Sequence, residues 1–149
     1  GMGAGFLADA PPVPVGRGEV RRQARDIAVL SFGALLAPAL EAAATVNATV
    51  ANMRFVKPLD ETLVLELART HRHLVTLEDN VVAGGAGSAV AECLARHGLT
   101  VPLTHIGLPD RFLEHGSREE LLAACGLDTA GLGASLRALL PTPRMRQRP

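Results

Sequence analysis

The stretch DIAVLSFG, residues 26–33, decides the fold of this chain. Its apolar part, Ile27 to Leu30, is a continuous run that is too short to form a helix. A run that is apolar on both faces is typical of a parallel strand buried between two layers. The serine and glycine that follow are residues that end such a strand. We therefore expect the chain to be built around one buried central strand.

Short strands and amphipathic helices alternate along the rest of the chain. Such alternation implies right-handed crossovers between parallel strands. The sequence thus predicts an α/β fold, with a mostly parallel sheet between two layers of helices. The further strands are predicted at residues 48–55, 73–77 and 101–106, and a possible edge strand at 12–16, where prolines are tolerated. Helix starts are predicted at Asp60, Ser117 and Asp128, which are favoured N-cap residues.

The length of 149 residues fits one domain with a core of its own. Residues 1–20 are rich in glycine and proline and are predicted to be an interdomain linker, which includes the possible edge strand. The domain is predicted to span residues 21–141. Residues 142–149 carry three arginines without periodicity and are predicted to be a disordered basic tail. The linker-like start suggests a fragment of a longer protein.

Composition disfavours two classes of partner. Lys+Arg 15 balance Asp+Glu 15, and there are 4 Phe with no Trp or Tyr, so the chain lacks the basic excess and the aromatic stacking surface of a nucleic-acid binder. No apolar run approaches the roughly 18 residues of a membrane span, and no signal peptide is visible. Cys93 and Cys125 are interpreted as buried small hydrophobes in a reducing compartment. We therefore expect a cytoplasmic protein.

Polar side chains follow the predicted strands at their carboxyl ends. Arg54 and Lys57 follow the second strand, Glu78 and Asp79 the third, and Asp110 the fourth. Because the carboxyl ends of parallel strands meet at one edge of a sheet, we expect these side chains to gather there. Their mixed signs favour an interface that pairs its own charges over a polyphosphate site, which requires a positive balance.

A glycine-rich turn, Gly84 to Ser88, opens the helix after the third strand. The free N–H groups of a helix start can hold a phosphate. The turn lacks both G-x-G-x-x-G and the Lys-Ser/Thr end of a P-loop, however. Two interpretations stay open: an anion-binding turn, or glycines that let the backbone pass close to a neighbouring strand. The residues favour the second.

The residues do not predict a metal site or a nucleophile. None of the five histidines shows His-x-x-x-His or lies beside a Cys-x-x-Cys pair, so we expect no metal ligand among them. His97 lies at a predicted helix end, where the dipole suffices to explain it. His115 is interpreted as a cap or interface residue. No Gly-x-Ser-x-Gly elbow surrounds Ser31 or Ser88.

Four motifs in this order resemble a known family. They are RFVKPLD at residues 54–60, TLEDN at 76–80, GGAGSAV at 84–90, and IGLPD at 106–110 with EHG at 114–116. Together they resemble the carboxy-terminal domain of the 1-deoxy-D-xylulose-5-phosphate synthase family, which is transketolase-like and depends on thiamine diphosphate. The resemblance covers residues 16 to about 140. The first motif alone indicates the wider group of transketolases and 2-oxo-acid dehydrogenases, and the last narrows it to the synthase.

The resemblance implies a three-layer α/β/α domain with a five-stranded mixed sheet whose first strand is antiparallel. It also implies a homodimeric parent enzyme that joins pyruvate to D-glyceraldehyde 3-phosphate with loss of CO2, for non-mevalonate isoprenoid, thiamine and pyridoxal biosynthesis. Thiamine diphosphate and Mg²⁺ would serve the parent. The Gly-Asp-Gly segment that holds them in the family is absent from this chain. The implied partners are the preceding catalytic domains, and this fragment alone is expected to be inactive.

We therefore predict no catalytic, cofactor-binding or metal residue in this chain, and assign the motif residues to a domain interface. The alternatives are an autonomous anion-binding or regulatory module, and the same domain of a transketolase or of a 2-oxo-acid dehydrogenase β-subunit. The candidate interface residues are Arg54, Lys57, Asp60, Glu78, Asp79, Gly84, Gly85, Gly87, Asp110 and His115.

Overall fold

The apolar run at residues 27–30 lies in the central strand of a five-stranded sheet. This is seen in a computed structural model, which describes residues 11–81, 85–109 and 116–141. In chain order the elements are β1 (Glu19–Arg22), β2 (Ile27–Phe32), α1 (Leu36–Val46), β3 (Thr49–Asn52), α2 (Glu61–Thr70), β4 (His73–Val81), α3 (Ala86–Arg96), β5 (Leu103–Leu108), α4 (Arg118–Ala124) and α5 (Thr129–Ala138).

The sheet is mixed, with the strand order β1-β3-β2-β4-β5. β2 pairs in parallel with both β3 and β4, and β4 pairs in parallel with β5. β1 is the exception, because it runs antiparallel to β3 at the edge of the sheet. The α/β prediction is confirmed, and so is the antiparallel first strand that the resemblance implied.

Side chains of β2 point alternately into two hydrophobic clusters, one on each face of the sheet. Ile27 and Val29 pack with buried residues of α1 and α5. Ala28 and Leu30 pack with buried residues of α2 and α3. Every residue of β2 is buried, as a strand covered on both faces requires. The three-layer arrangement therefore follows from the apolar run with which the prediction began.

The predicted edge strand at residues 12–16 is wrong in position. The edge strand is β1, Glu19–Arg22, so it also crosses the boundary that was predicted at residue 20. Residues 15–16 form a turn, in which Gly16 has φ +73°, beside the ring of Pro58. The prolines before this turn cannot donate to a sheet ladder, so pairing begins only after the last of them.

The other strand boundaries differ from the predicted ones by a few residues. β3 ends at Asn52 instead of residue 55, because Arg54 has φ +63° and leaves the extended conformation. β4 continues to Val81, and β5 spans Leu103–Leu108 instead of residues 101–106. The prolonged β4 places Glu78 inside a strand, in register with Phe32 of β2.

The three predicted helix starts are confirmed. The Asp60 side chain accepts a hydrogen bond from the Leu63 N–H, and the Asp128 side chain accepts one from the Gly131 N–H. Ser117 forms a reciprocal capping box with Glu120. Both cysteines are free, with Cys93 buried and Cys125 partly buried. Within the described ranges, no helix is both long and apolar enough to cross a bilayer.

Candidate functional site

The predicted polar edge lies where β3 and β4 end and where α2 and α3 begin. Since β2, β3, β4 and β5 are parallel, their carboxyl ends point to the same side of the sheet. Seven of the candidate interface residues lie in the described ranges. Gly84, Asp110 and His115 lie outside the described residues, so their predicted roles stay predictions.

Glu78 lies beneath the start of α3. It is only 5% exposed, and its Oε2 accepts a hydrogen bond of 2.7 Å from the N–H of Ala86, the first residue of the helix. A Cβ atom at Gly85 would lie 2.5 Å from both carboxylate oxygens. The turn therefore needs a glycine here because the backbone passes directly over a strand side chain. This supports the close-approach interpretation of the glycine turn.

Asp79 connects three segments at the same edge. Its Oδ2 accepts hydrogen bonds from the Ala34 N–H at 3.3 Å and from Nη2 of Arg118 at 3.1 Å. Gly33, which has φ +90°, leaves room for the carboxylate, since a Cβ atom would lie 2.4 Å from Oδ1. Asp79 thus links the loop after β2 to the first residue of α4.

Asp60 and Arg54 link the loop after β3 to the edge strand. Oδ1 of Asp60 caps α2, and its Oδ2 accepts a hydrogen bond of 2.9 Å from the Gly18 N–H. Arg54 forms an ion pair with Glu19 of β1. Lys57 is exposed, and the peptide bond that joins it to Pro58 is cis.

The structure thus divides the candidates into two groups. Glu78, Asp79 and Gly85 bind β4 to α3, α4 and the loop after β2, whereas Arg54 and Asp60 bind the loop after β3 to the start of β1. Among the described residues, no hydrogen bond or ion pair joins the two groups. Arg54 and Asp79 do form ion pairs within the chain, but their partners, Glu19 and Arg118, were not among the predicted residues.

Gly87 belongs to a third contact, inside α3. A Cβ atom there would lie 2.3 Å from Nδ1 of His105 on β5. The same ring nitrogen lies 2.7 Å from Oγ1 of Thr76, which is buried in β4. Gly87 therefore allows α3 to lie close to the histidine that joins β4 and β5.

His71 and His73 have structural surroundings. Both ring nitrogens of the buried His71 have partners, with Nε2 2.8 Å from Oγ1 of Thr49 and Nδ1 3.0 Å from the Leu67 carbonyl oxygen. Nε2 of His73 lies 2.7 Å from Oγ1 of Thr104, and burial lowers the pKa of His73 below its ordinary value of 6.5. These contacts explain both residues without a ligand.

The lowered pKa of His73 makes stability depend on pH. Unfolded His73 takes up a proton more readily than folded His73. We therefore expect the free energy of unfolding to be undiminished by this residue above about pH 6.5 and to fall as the pH drops below that value. Urea unfolding between about pH 7.5 and 5.5 should therefore show a smaller loss of stability in His73→Gln than in the wild type. Gln23→Ala, which changes an exposed side chain without an ionisable group, is the control and should keep the wild-type slope.

The described residues do not fit a thiamine diphosphate site. In the turn that resembles a phosphate cradle, the Ala86 N–H already donates to a buried carboxylate. That carboxylate would repel a diphosphate. Arg54, Asp60, Glu78 and Asp79 are each bonded to groups of the same chain. The described residues of the edge thus hold loops and helix starts in position through hydrogen bonds and ion pairs.

Sequence reasoning missed four participants in the edge. Three of them contact residues far along the chain, namely Glu19, Gly33 and Arg118. Only Gly33 could have been recognised from the sequence, because a glycine directly after a predicted strand indicates a turn. Ser31 was considered only as a nucleophile, yet its Oγ is buried in β2 and has no hydrogen-bond partner among the described residues. Oε1 of Glu78 is also buried without a partner.

The fold and the edge together define a three-layer domain that ties its own loops to one end of a mixed sheet. The family model described as "Transketolase, C-terminal domain" matches residues 16–132. The chain therefore belongs to the transketolase C-terminal domain family.

The curated relatives narrow the comparison further. A 1-deoxy-D-xylulose-5-phosphate synthase of Thioalkalivibrio sulfidiphilus is 62% identical over 140 residues, which are 94% of this chain and 22% of the relative. The synthases of Nitrosococcus oceani and Alkalilimnicola ehrlichii are 61% and 59% identical, over 89% and 91% of this chain and 21% and 22% of theirs. The chain thus spans about a fifth of the length of these relatives.

A solved structure supports the fold. A split-gene transketolase, described as an inactive β4 tetramer, superposes with a TM-score of 0.77 at 35% identity. The match covers 91% of this chain and 44% of that one. The resemblance on which the sequence analysis relied is thus confirmed at the level of the family.

Proposed function

We propose that this chain is the carboxy-terminal domain of a 1-deoxy-D-xylulose-5-phosphate synthase. The parent enzyme would condense pyruvate with D-glyceraldehyde 3-phosphate, with loss of CO2, for isoprenoid, thiamine and pyridoxal biosynthesis. The observation that carries this proposal is the 62% identity to a synthase over 94% of the chain. The competing transketolase assignment is supported by a lower identity of 35%.

The proposed role of the domain itself is to buttress the preceding catalytic domains of the same protein. The residues of the polar edge hold the loops after β2, β3 and β4 and the starts of α2 and α3 in fixed positions. A surface made of such fixed loops suits a permanent interface. In this proposal the residues before β1 are the linker that enters the domain, the residues from β1 to 141 form the domain, and residues 142–149 are a basic tail.

Thiamine diphosphate and Mg²⁺ belong to the other domains of the parent in this proposal. When bound, thiamine diphosphate supplies a stabilised carbanion, which is the difficult part of the reaction. The parent is further proposed to be a cytoplasmic homodimer that acts without nucleic acid or membrane. None of these roles is assigned to a side chain of the described residues.

The assignment to the synthase is tested with the full-length parent protein. We expect it to form 1-deoxy-D-xylulose 5-phosphate and release CO2 from pyruvate and D-glyceraldehyde 3-phosphate. Ketol transfer between sugar phosphates without use of pyruvate would contradict the synthase and favour a transketolase. Pyruvate oxidation that acylates a lipoyl carrier would favour a 2-oxo-acid dehydrogenase.

The isolated 149-residue chain tests the buttressing role. We expect isothermal titration with thiamine diphosphate and Mg²⁺ to give no binding heat, because the cradle-like turn is filled by Glu78. Saturable binding of thiamine diphosphate to this chain would contradict the proposal. Phosphate is the second titrant: binding that Glu78→Gln strengthens would favour the alternative of an anion-binding module.

A further inference from the structure

Three side chains with different metal-binding groups meet where α2 contacts α3. They are Glu61, the first residue of α2, and Cys93 and His97, which have i, i+4 spacing on α3. One carboxylate oxygen, the thiol sulfur and one ring nitrogen all lie within 4.8 Å of one another. Among the residues that the structure describes, no other group of three such side chains is found.

The donor set suits a thiophilic divalent cation. A thiolate, an imidazole and a carboxylate are all established Zn²⁺ ligands, with bond lengths of about 2.0 to 2.3 Å. In a tetrahedral site such bonds place the ligand atoms about 3.5 Å apart. Small side-chain rotations of the two outer ligands would close the present separation of up to 4.8 Å. Three protein ligands would leave the fourth position to water.

The three side chains differ in their exposure to solvent, and the exposed ones define the side from which an ion would enter. Cys93 is 0% exposed, whereas His97 is exposed and the Glu61 side chain is 38% exposed. The sulfur thus forms the floor of the cluster, and the other two groups lie at its mouth. An ion would reach the thiol once these two side chains turn aside.

The present partner of Glu61 would have to move away. Arg96 forms an ion pair with Glu61, and the Arg96 side chain is 60% exposed, so it can turn into solvent. Burial raises the pKa of the Cys93 thiol, and the Glu61 carboxylate raises it further. A bound cation would reverse this effect, because it binds the thiolate and releases the proton to solvent.

We propose that Glu61, Cys93 and His97 form a site for one Zn²⁺-like cation that joins α2 to α3. No metal ligand was predicted from the sequence, because it contains no His-x-x-x-His or Cys-x-x-Cys spacing. Here the helical pair is Cys-x-x-x-His, and the third ligand comes from a different helix. The site shares no residue with the candidates of the polar edge and does not rest on the proposed function.

Cobalt is the probe for this site, because Co²⁺ binds where Zn²⁺ does and absorbs light. We expect the reduced 149-residue chain to bind one Co²⁺, with a thiolate charge-transfer band and the visible bands of a tetrahedral ion. Zn²⁺ should displace it and abolish both. Cys93→Ser should lose the charge-transfer band. Cys125→Ser, which removes the other free cysteine, should keep it.

His97→Gln and Glu61→Gln keep the proposal testable if Cys93→Ser does not fold, because both change side chains that are in contact with solvent. Each should weaken Co²⁺ binding about tenfold or more, with an unchanged circular dichroism spectrum. The proposal is overturned if the wild type shows no charge-transfer band, if Cys125→Ser loses it, or if both substitutions leave the affinity unchanged.

Discussion

Replacement of Gly85 by alanine should lower the free energy of unfolding by about 3 kcal/mol. The new Cβ atom would lie 2.5 Å from both carboxylate oxygens of Glu78 and 2.8 Å from its Cδ. Gly85 itself has φ −87°, which alanine adopts freely, so backbone strain contributes nothing. The cost arises because Glu78, 5% exposed, must move and leave the Ala86 N–H without its charged acceptor.

A double-mutant cycle isolates this mechanism. In a Glu78→Ala background the clash no longer exists, so we expect Gly85→Ala to cost less than about 1 kcal/mol there. The coupling energy should be about 2 kcal/mol, measured by urea unfolding of the four proteins. Ser88→Ala, in the same first turn of α3, is the control and should stay within about 0.5 kcal/mol of the wild type. Additive costs would show that Gly85 is required for a different reason.

The contact between Gly85 and Glu78 explains why the sequence predicted only part of the structure of this turn. The glycines and the helix start are local signals, and they correctly indicated a close approach of backbone to strand. The identity of the approaching group was not a local signal. Glu78 was predicted in the loop after the third strand, whereas it lies within β4 beneath the start of α3, and its buried Oε1 has no hydrogen-bond partner among the described residues. Only the folded arrangement of β4 and α3 decides which charge the turn encloses.

Elements whose cause is local were predicted well. The run from Ile27 to Leu30 is apolar on both faces, and it forms the strand that both hydrophobic clusters share. The caps at Asp60, Ser117 and Asp128 also depend on residues only three positions away. Local patterns were sufficient here because the apolar run and the N-cap residues are signals that lie within the predicted element or directly beside it.

Elements that depend on distant partners were misplaced or missed. The edge strand was predicted at residues 12–16, since prolines are tolerated at a sheet edge, but its position is set by the pairing of β1 with β3. The ion pair between Asp79 and Arg118 joins residues 39 positions apart, and no spacing rule reaches that far. The same holds for Glu61, which approaches Cys93 and His97 only after α2 packs on α3.

Asp60→Ala should cost about 3 kcal/mol, because the side chain has two separate functions. Its Oδ1 accepts a hydrogen bond of 3.1 Å from the Leu63 N–H, which caps α2. Its Oδ2 accepts one of 2.9 Å from the Gly18 N–H, immediately before β1. Asp60 is 8% exposed, so water cannot fully replace the lost carboxylate at either donor.

Asp128 is the matched control for this prediction. It caps α5 with one hydrogen bond of 2.9 Å to the Gly131 N–H and is partly exposed, so Asp128→Ala should cost about 1 kcal/mol. The cost of Asp60→Asn in free energy of unfolding should lie between the costs of the two alanine variants. The single amide oxygen of asparagine can still accept the capping hydrogen bond, but its NH2 group cannot accept one from the Gly18 N–H. Urea unfolding ranks the three variants.

Equal costs for Asp60→Ala and Asp128→Ala would show that the bond to Gly18 contributes nothing. The edge strand would then be attached by other contacts, such as β1–β3 pairing and the ion pair between Arg54 and Glu19. The expected excess of about 2 kcal/mol instead makes Asp60 the residue that couples the entry of the chain to the loop after β3. Amide exchange separates these outcomes by position. In Asp60→Ala the N–H groups of β1 should lose protection, whereas those of β2 should keep it, since β2 is buried on both faces.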